Sequence, residues 1–178
     1  MSLSAPGVEP DAGCACQLLE DHGVRITRQV PPVIVDAKLI VDTDRIAAMF
    51  RTDIERLQLR LHRRSFDVVN ARNFRSRAIN YREYHLSEHV HEEHEIRWFL
   101  SGSLLLYVNL DGRVSMTRCR AGDLVAVAPG VRHWIDMGPD PDYCCVNFYN
   151  SRDRLVNRYT GSCVAESVPR WESVMPPL

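Results

Sequence analysis

From Asp44 onward the apolar residues Ile46, Met49, Phe50, Ile54, Leu57 and Leu61 recur at three- and four-residue steps, the spacing of one helical stripe. This predicts an amphipathic helix over 44–64, whose basic end, Arg60 to Arg64, complements the helix dipole and reads as solvated. Ahead of it, Cys16 to His22 fits a short helix closed by Gly23, then an extended piece through Pro31 and Pro32, where proline forbids helix. Residues 1–13, rich in Pro, Gly, Ser and Ala, read as mobile. From Phe66 the pattern changes to short apolar runs separated by turn residues. The expected strands are Phe66 to Val69, Ala78 to Leu86, Ile96 to Leu100, Leu104 to Leu110, Val114 to Cys119, Leu124 to Val127, His133 to Met137 and Cys144 to Tyr149. Asp111-Gly112 predicts a hairpin turn, since both residues tolerate positive φ. Strands so spaced, with no helix between them, indicate an antiparallel sandwich or small barrel. Ser151 to Tyr159 reads as a closing helical turn, and 162–178 as an irregular tail that packs only locally.

Composition narrows the picture. A chain of 178 residues that is 45% apolar suits one domain with a real core. Its expected parts are an N-terminal extension (1–43), the helix (44–64), a β-barrel (66–161) and the tail (162–178). The formal net charge of −1 gives no electrostatic reason to expect a nucleic acid or an anionic membrane, so the expected partner is a small molecule. No window approaches the roughly 18 apolar residues of a membrane span, and Met1 to Gly13 lacks the features of a secretory signal. The expected location is the cytoplasm. The six cysteines are scattered and read as reduced thiols there, and Cys14-x-Cys16 lacks the second pair of a zinc-finger site.

The chemistry concentrates in Glu88 to Gly102. Read as one strand, it projects His89, His91, Glu95 and Arg97 from the same face, with the two histidine Cα atoms roughly 7 Å apart. Neutral imidazole and carboxylate suit divalent iron, nickel, manganese and zinc. Ile96, Trp98 and Leu100 then face the other way and need a cover, the helix first and a homodimer partner next. Downstream, a short apolar run and Pro129-Gly130 would bend the chain and swing His133 back toward the first histidines. Three imidazoles and one carboxylate leave two of six octahedral positions open, enough for a chelating oxygen ligand, or for one substrate oxygen with water or dioxygen. Arg97 admits two roles, partner of a carboxylate or buried cation holding an anionic ligand. His85 shares the odd parity and could line the same cavity. His94 has the wrong parity and reads as a rim residue, while His22 and His62 fall near helix ends.

His89-x-His91-x-x-x-Glu95 followed by Gly102, with Gly122-Asp123 leading to Gly130-x-x-His133, resembles the two motifs of the cupins. Within them, Glu-His-x-His…Glu-Ile-Arg-Trp-Phe-Leu and His-Trp-Ile-Asp-Met-Gly resemble the acireductone dioxygenase family, from about Phe66 to Gly161. The resemblance implies a mainly β, single cupin barrel with the helix packed outside. It implies one divalent metal, iron(II) or nickel(II), on His89, His91, Glu95 and His133. The implied substrate is the acireductone of methionine salvage, bound as an enolate whose charge Arg97 holds. With iron it would be cleaved by dioxygen to formate and 2-oxo-4-methylthiobutanoate; with nickel, by a route that releases carbon monoxide. Glu88 matches an acidic position beside the first ligand and would help deliver metal. Two departures concern the substrate: His85 replaces an aromatic residue, and Ile135 a phenylalanine, both expected to line the cavity.

Overall fold

The computed structural model describes residues 12–33, 36, 42–150 and 155–175. Among them nine antiparallel strands form one continuous sheet folded on itself: β1 (Val24–Arg28), β2 (Ser65–Asn70), β3 (His89–Val90), β4 (Glu95–Leu110), β5 (Arg113–Arg120), β6 (Asp123–Val127), β7 (His133–Asp136), β8 (Tyr143–Tyr149) and β9 (Arg158–Tyr159). The runs expected as two strands, 96–100 and 104–110, are one strand, β4. Its first half pairs with β6 and β8, flanked by β1 and β2. Its second half pairs with β5 and β7, and β3 lies between β7 and β9.

One strand serves both sheet halves because its register slips between Phe99 and Ser101. A one-residue slip exchanges the two faces. Phe99 before it, and Leu104, Leu106 and Val108 after it, therefore share one interior cluster. Gly102, at φ 66°, sits beside the slip, where an added Cβ would collide with the carbonyl of Asp142. The Asp111-Gly112 turn has the expected positive φ at both residues and joins β4 to β5.

The opposite face of β4 carries Ile96, Trp98 and Leu100, which pack against Ile46, Phe50, Ile54 and Leu57. The helical cover is as expected, but it is two helices, α2 (Thr43–Met49) and α3 (Arg51–Leu61), counted after α1 (Ala12–Asp21). The Asp42 carboxylate caps α2 by accepting from the Asp44 and Arg45 amides at 2.9 and 3.2 Å. Phe50 leaves helical geometry between the two helices and sets its buried ring edge-on to Trp98, centroids 5.7 Å apart. His62, in the left-handed region, ends α3 short of residue 64.

Three other expectations need correction. Ala78–Leu86 is a helix, α4, and not a strand. Tyr81, Arg82, His85 and Leu86 turn inward while Asn80, Glu83 and Tyr84 are exposed, a helical period. Half of that inward face is polar, so hydrophobicity carried no trace of it. The extended piece expected after Gly23 does form, as β1, which pairs with β6 along its whole length. The tail is not loosely attached: it contains α5 (Trp171–Val174), and Val168, Trp171 and Met175 pack against Leu105, Tyr107 and Trp134. Tyr107 donates to the Pro169 carbonyl at 2.7 Å, and the Trp171 amide to Asp136 at 2.9 Å. Of the closing turn expected at Ser151 to Tyr159, residues 151–154 lie outside the described residues, as do 1–11 of the segment read as mobile, and Arg158–Tyr159 is strand β9. Among the described residues no helix is long and apolar enough to cross a membrane.

Candidate metal centre

Register brings the histidines together. His89 on β3 is the direct cross-strand partner of His133 on β7, and their ring centroids lie 4.7 Å apart. His91 follows β3 in an irregular stretch pinned by a hydrogen bond from the Gly130 amide to its carbonyl at 3.0 Å. The strand expected to run unbroken from His89 is thus interrupted before Glu95 begins β4. The His91 ring still reaches the others, with centroids 5.1 Å from His89 and 5.2 Å from His133. One ligand nitrogen from each imidazole falls within 4.8 Å of the others, and all three residues are buried.

Their tautomers follow from the carbonyls around them. The Nδ1 atoms of His89, His91 and His133 face the backbone oxygens of Ser87, Val156 and Val131 at 2.7, 3.0 and 2.8 Å. A carbonyl only accepts, so each Nδ1 carries the proton and each Nε2 keeps a lone pair for the centre. Burial, reinforced by the charge His133 would carry, pushes His89 down to about 3. Burial also lowers His91, against the pull of Glu95. Glu95 completes the set, its Oε2 lying 2.9 Å from His133 Nε2 and 3.9 Å from His91 Nε2. Burial alone would raise its carboxyl, but Arg97 and the neighbouring imidazoles outweigh that and hold it well below the usual range. Three inward lone pairs and a carboxylate are the donor set of a divalent first-row cation, and these residues fit one.

Beside this cluster opens a cavity of about 380 Å³. His91, Glu95 and Arg97 are part of its lining. Arg97 meets the first of the two roles open to it, its guanidinium pairing with Glu95, and its side chain also lines the cavity. His85 lines the cavity too, from α4, with Nδ1 on the Tyr81 carbonyl at 2.8 Å. Burial pushes it down to about 4. Ile135 does not meet the expectation of lining this cavity. It belongs to the interior cluster and borders a small, mostly apolar void that Glu95 and Arg97 also line. Glu88 is buried, with its carboxylate accepting from Asn109 and Thr160 at 2.6 Å each, and it lines a separate surface pocket with Cys163. His94 is exposed, as its parity suggested.

The remaining wall was not read from the sequence. Asp67 and Val69 come from β2, Asn147 and Tyr149 from β8, and Tyr81 and Tyr84 from α4. Alternation within β2 and β8 was a usable signal for the first four. The two tyrosines were masked by the strand reading of α4.

An antiparallel barrel that gathers three imidazoles and a carboxylate beside a cavity defines the cupin class. The chain belongs to the ARD/ARD′ family, whose model matches residues 35–156. It is similar to the acireductone dioxygenase of Hahella chejuensis, with 33% identity over 132 residues, 74% of this chain and 71% of that protein. It is 29% identical to acireductone dioxygenase 2 of Pectobacterium atrosepticum over 163 residues, 91% of this chain and 88% of that one. Its fold matches the acireductone dioxygenase of Bacillus anthracis, solved with a cadmium ion in the active centre, with TM-score 0.70 and 21% identity, covering 85% of this chain and 91% of that one. The chain is accordingly an enzyme of the acireductone dioxygenase type, a class that takes a small molecule and dioxygen.

Proposed function

We propose that His89, His91, His133 and Glu95 hold one iron(II) or nickel(II) ion, and that the iron-loaded protein cleaves the methylthio acireductone of methionine salvage with dioxygen to formate and 2-oxo-4-methylthiobutanoate. The observation that carries this reading is the convergence of three Nε2 lone pairs and the Glu95 carboxylate beside a cavity that His91 and Glu95 line. The bound metal would supply Lewis acidity and a path for electrons. The other duties fall to the protein. Arg97 sits where it can hold the enolate charge of the substrate by charge-assisted hydrogen bonds. Glu95 keeps Arg97 aimed, and Arg97 keeps Glu95 ionised. The three carbonyls on Nδ1 fix the imidazoles, so little reorganisation is needed when metal and substrate enter. Iron and nickel share this donor set, so the route followed depends on which is loaded.

The test is oxygen-dependent consumption of the acireductone by anaerobically iron-reconstituted protein, with metal-free protein and His91→Ala as controls for spontaneous oxidation. Consumption well above both, with formate among the products, is the expected result. No excess over the controls from a verified iron-loaded sample would overturn the reading.

A further inference from the structure

His85 brings to the cavity a hydrogen-bond acceptor that none of the roles above uses. Its Nδ1 lies 2.8 Å from the Tyr81 carbonyl one helical turn back, so Nδ1 carries the proton and Nε2, on the far edge of the ring, keeps a lone pair. Among the described residues Nε2 makes no hydrogen bond, and the buried side-chain polar atoms left without a partner are Ser101 Oγ and the Tyr143 hydroxyl alone. The Nε2 lone pair is therefore open to the cavity that its ring lines. The charges of Arg97, Glu95 and His91 all act on this ring, so it lies near the proposed metal site.

The ring is also held in place. It sits 4.7 Å from Tyr81 and 5.0 Å from Tyr84 by centroid, Tyr81 stacks on Phe74 at 4.6 Å, and Arg82 ties α4 to Asp136 of β7. Burial, and after it the Arg97 charge, keeps the imidazole neutral at pH 7. A fixed neutral lone pair suits a hydroxyl that brings a proton, whereas the Arg97 guanidinium has donors only. A phenyl ring in this place would offer no acceptor.

An acireductone presents both kinds of partner. It has two enediol hydroxyls conjugated with a ketone, and one of them is acidic as a vinylogous carboxylic acid. At neutral pH one oxygen is thus an enolate while the other hydroxyl keeps its proton. Arg97 suits the first and cannot serve the second.

Resting on the dioxygenase reading above, we propose that His85 is a further substrate-binding residue, whose Nε2 accepts a hydrogen bond from the enediol hydroxyl that keeps its proton while Arg97 holds the enolate oxygen. The pair then recognises an enediol by its two oxygens. A 2-oxo acid offers the metal and Arg97 a chelating anion but brings no hydroxyl, so it makes no use of His85.

Anaerobic calorimetry, in which no turnover occurs, measures the affinity of iron-loaded wild type, His85→Phe and His85→Gln for the acireductone and for its 2-oxo acid product. His85→Phe keeps a ring between the tyrosines and removes the acceptor. It should weaken the acireductone about tenfold, for the loss of one hydrogen bond, and leave the 2-oxo acid within about twofold. His85→Gln puts a carbonyl oxygen near the place of Nε2 and should hold the acireductone within about threefold of wild type. With dioxygen admitted, kcat/KM for the acireductone should follow the same order. Equal losses for both ligands in His85→Phe would overturn the proposal, since the cavity as a whole would then be disturbed. So would wild-type affinity for the acireductone in His85→Phe, or a His85→Gln protein as weak as His85→Phe. In each of these cases the dioxygenase reading stands as long as the wild type turns the acireductone over. Failure of verified iron-loaded wild type to bind the acireductone would overturn both.

Discussion

Glu95 Oε2 lies 2.9 Å from His133 Nε2, although the imidazole already spends its Nδ1 proton on the Val131 carbonyl. Two acceptors held that close in a buried site repel unless a proton or cation lies between them. The contact marks where a cation is needed, and it makes metal binding a stability event. A ligand that binds only the folded protein at 100 times its Kd adds about 2.7 kcal/mol. Iron(II) or nickel(II) should therefore raise the Tm of the metal-free protein by several degrees, measured anaerobically by scanning calorimetry, and His133→Ala should abolish the increase. An equal increase in His133→Ala would place the metal elsewhere.

Arg97 and Glu95 are mutual partners in the same buried corner. In Arg97→Ala the Glu95 charge loses its counter-ion unless a metal replaces it. The variant should bind metal in wild-type stoichiometry and lose turnover, with kcat/KM down on the order of 10- to 100-fold for one charge-assisted contact. Its metal-free form should be destabilised more than its metal-loaded form. Urea titrations in both states, beside metal analysis and steady-state rates, check all three. Full activity in Arg97→Ala would remove the anion-holding role.

What was legible in the chain was local, and what was missed was not. His89, His91 and Glu95 sit within seven residues of one another and announced themselves by spacing, and the Asp111-Gly112 turn by its two residues. Trp98 and Leu100 called for a cover, and the stripe at Ile46, Phe50, Ile54 and Leu57 supplied it. Alternation sets the faces of Asp67 and Asn147 within their strands, but only the pairing of β2 with β8 across some 80 residues brings them to one cavity. In α4, Arg82 and His85 occupy inward positions that a hydrophobic period would have given to apolar side chains. The tail was misjudged because its apolar residues Val168, Trp171 and Met175 are spaced apart and meet Leu105, Tyr107 and Trp134 only through the fold.

The Trp171 amide anchor on Asp136 is built on Arg82. Its guanidinium binds Asp136 at 2.8 and 2.9 Å and Glu172 at 2.6 and 2.9 Å, tying α4 to β7 and to α5. Asp136 is fully buried, so Arg82→Ala strands its charge and should cost about 3–5 kcal/mol in urea unfolding. Glu172 is half exposed, so Glu172→Gln should cost no more than about 1 kcal/mol. The Arg82 hydrogen bond lowers Glu172 from 4.5 to about 2. Its contribution is present above pH 4.5 and fades as pH falls toward 2, so the gap between wild type and Glu172→Gln should shrink over that window. A gap that grew on acidification would contradict the pairing.

The cover over β4 rests on Phe50, whose buried ring meets Trp98 edge-on where α2 gives way to α3. Phe50→Ala should leave a cavity there and cost about 3–5 kcal/mol, measured by urea unfolding. Its metal affinity should stay within a few-fold of wild type, because Ile96 and Trp98 face the helices while Glu95 faces the histidines. Loss of metal binding in a folded Phe50→Ala protein would mean that the two faces of β4 are coupled.

His85 gives the cavity a pH dependence of its own. Burial lowers it from 6.5 to about 4, and its ring sits 4.7 Å from Tyr81 and 5.0 Å from Tyr84 by centroid. Between those values the unfolded chain takes up a proton that the folded protein refuses, so stability is greatest above pH 6.5 and falls with pH through the window. The full shift corresponds to at most about 3 kcal/mol, less whatever solvent in the cavity screens. His85→Phe keeps a ring between the tyrosines and removes the titration. The difference in unfolding free energy between wild type and His85→Phe should therefore drift with pH between 6.5 and 4 in wild type's disfavour and be flat above 7. Working with that difference cancels the other buried histidines, which titrate alike in both proteins. A pH-independent difference would mean that His85 keeps an ordinary pKa, and that the wall it forms is open to water.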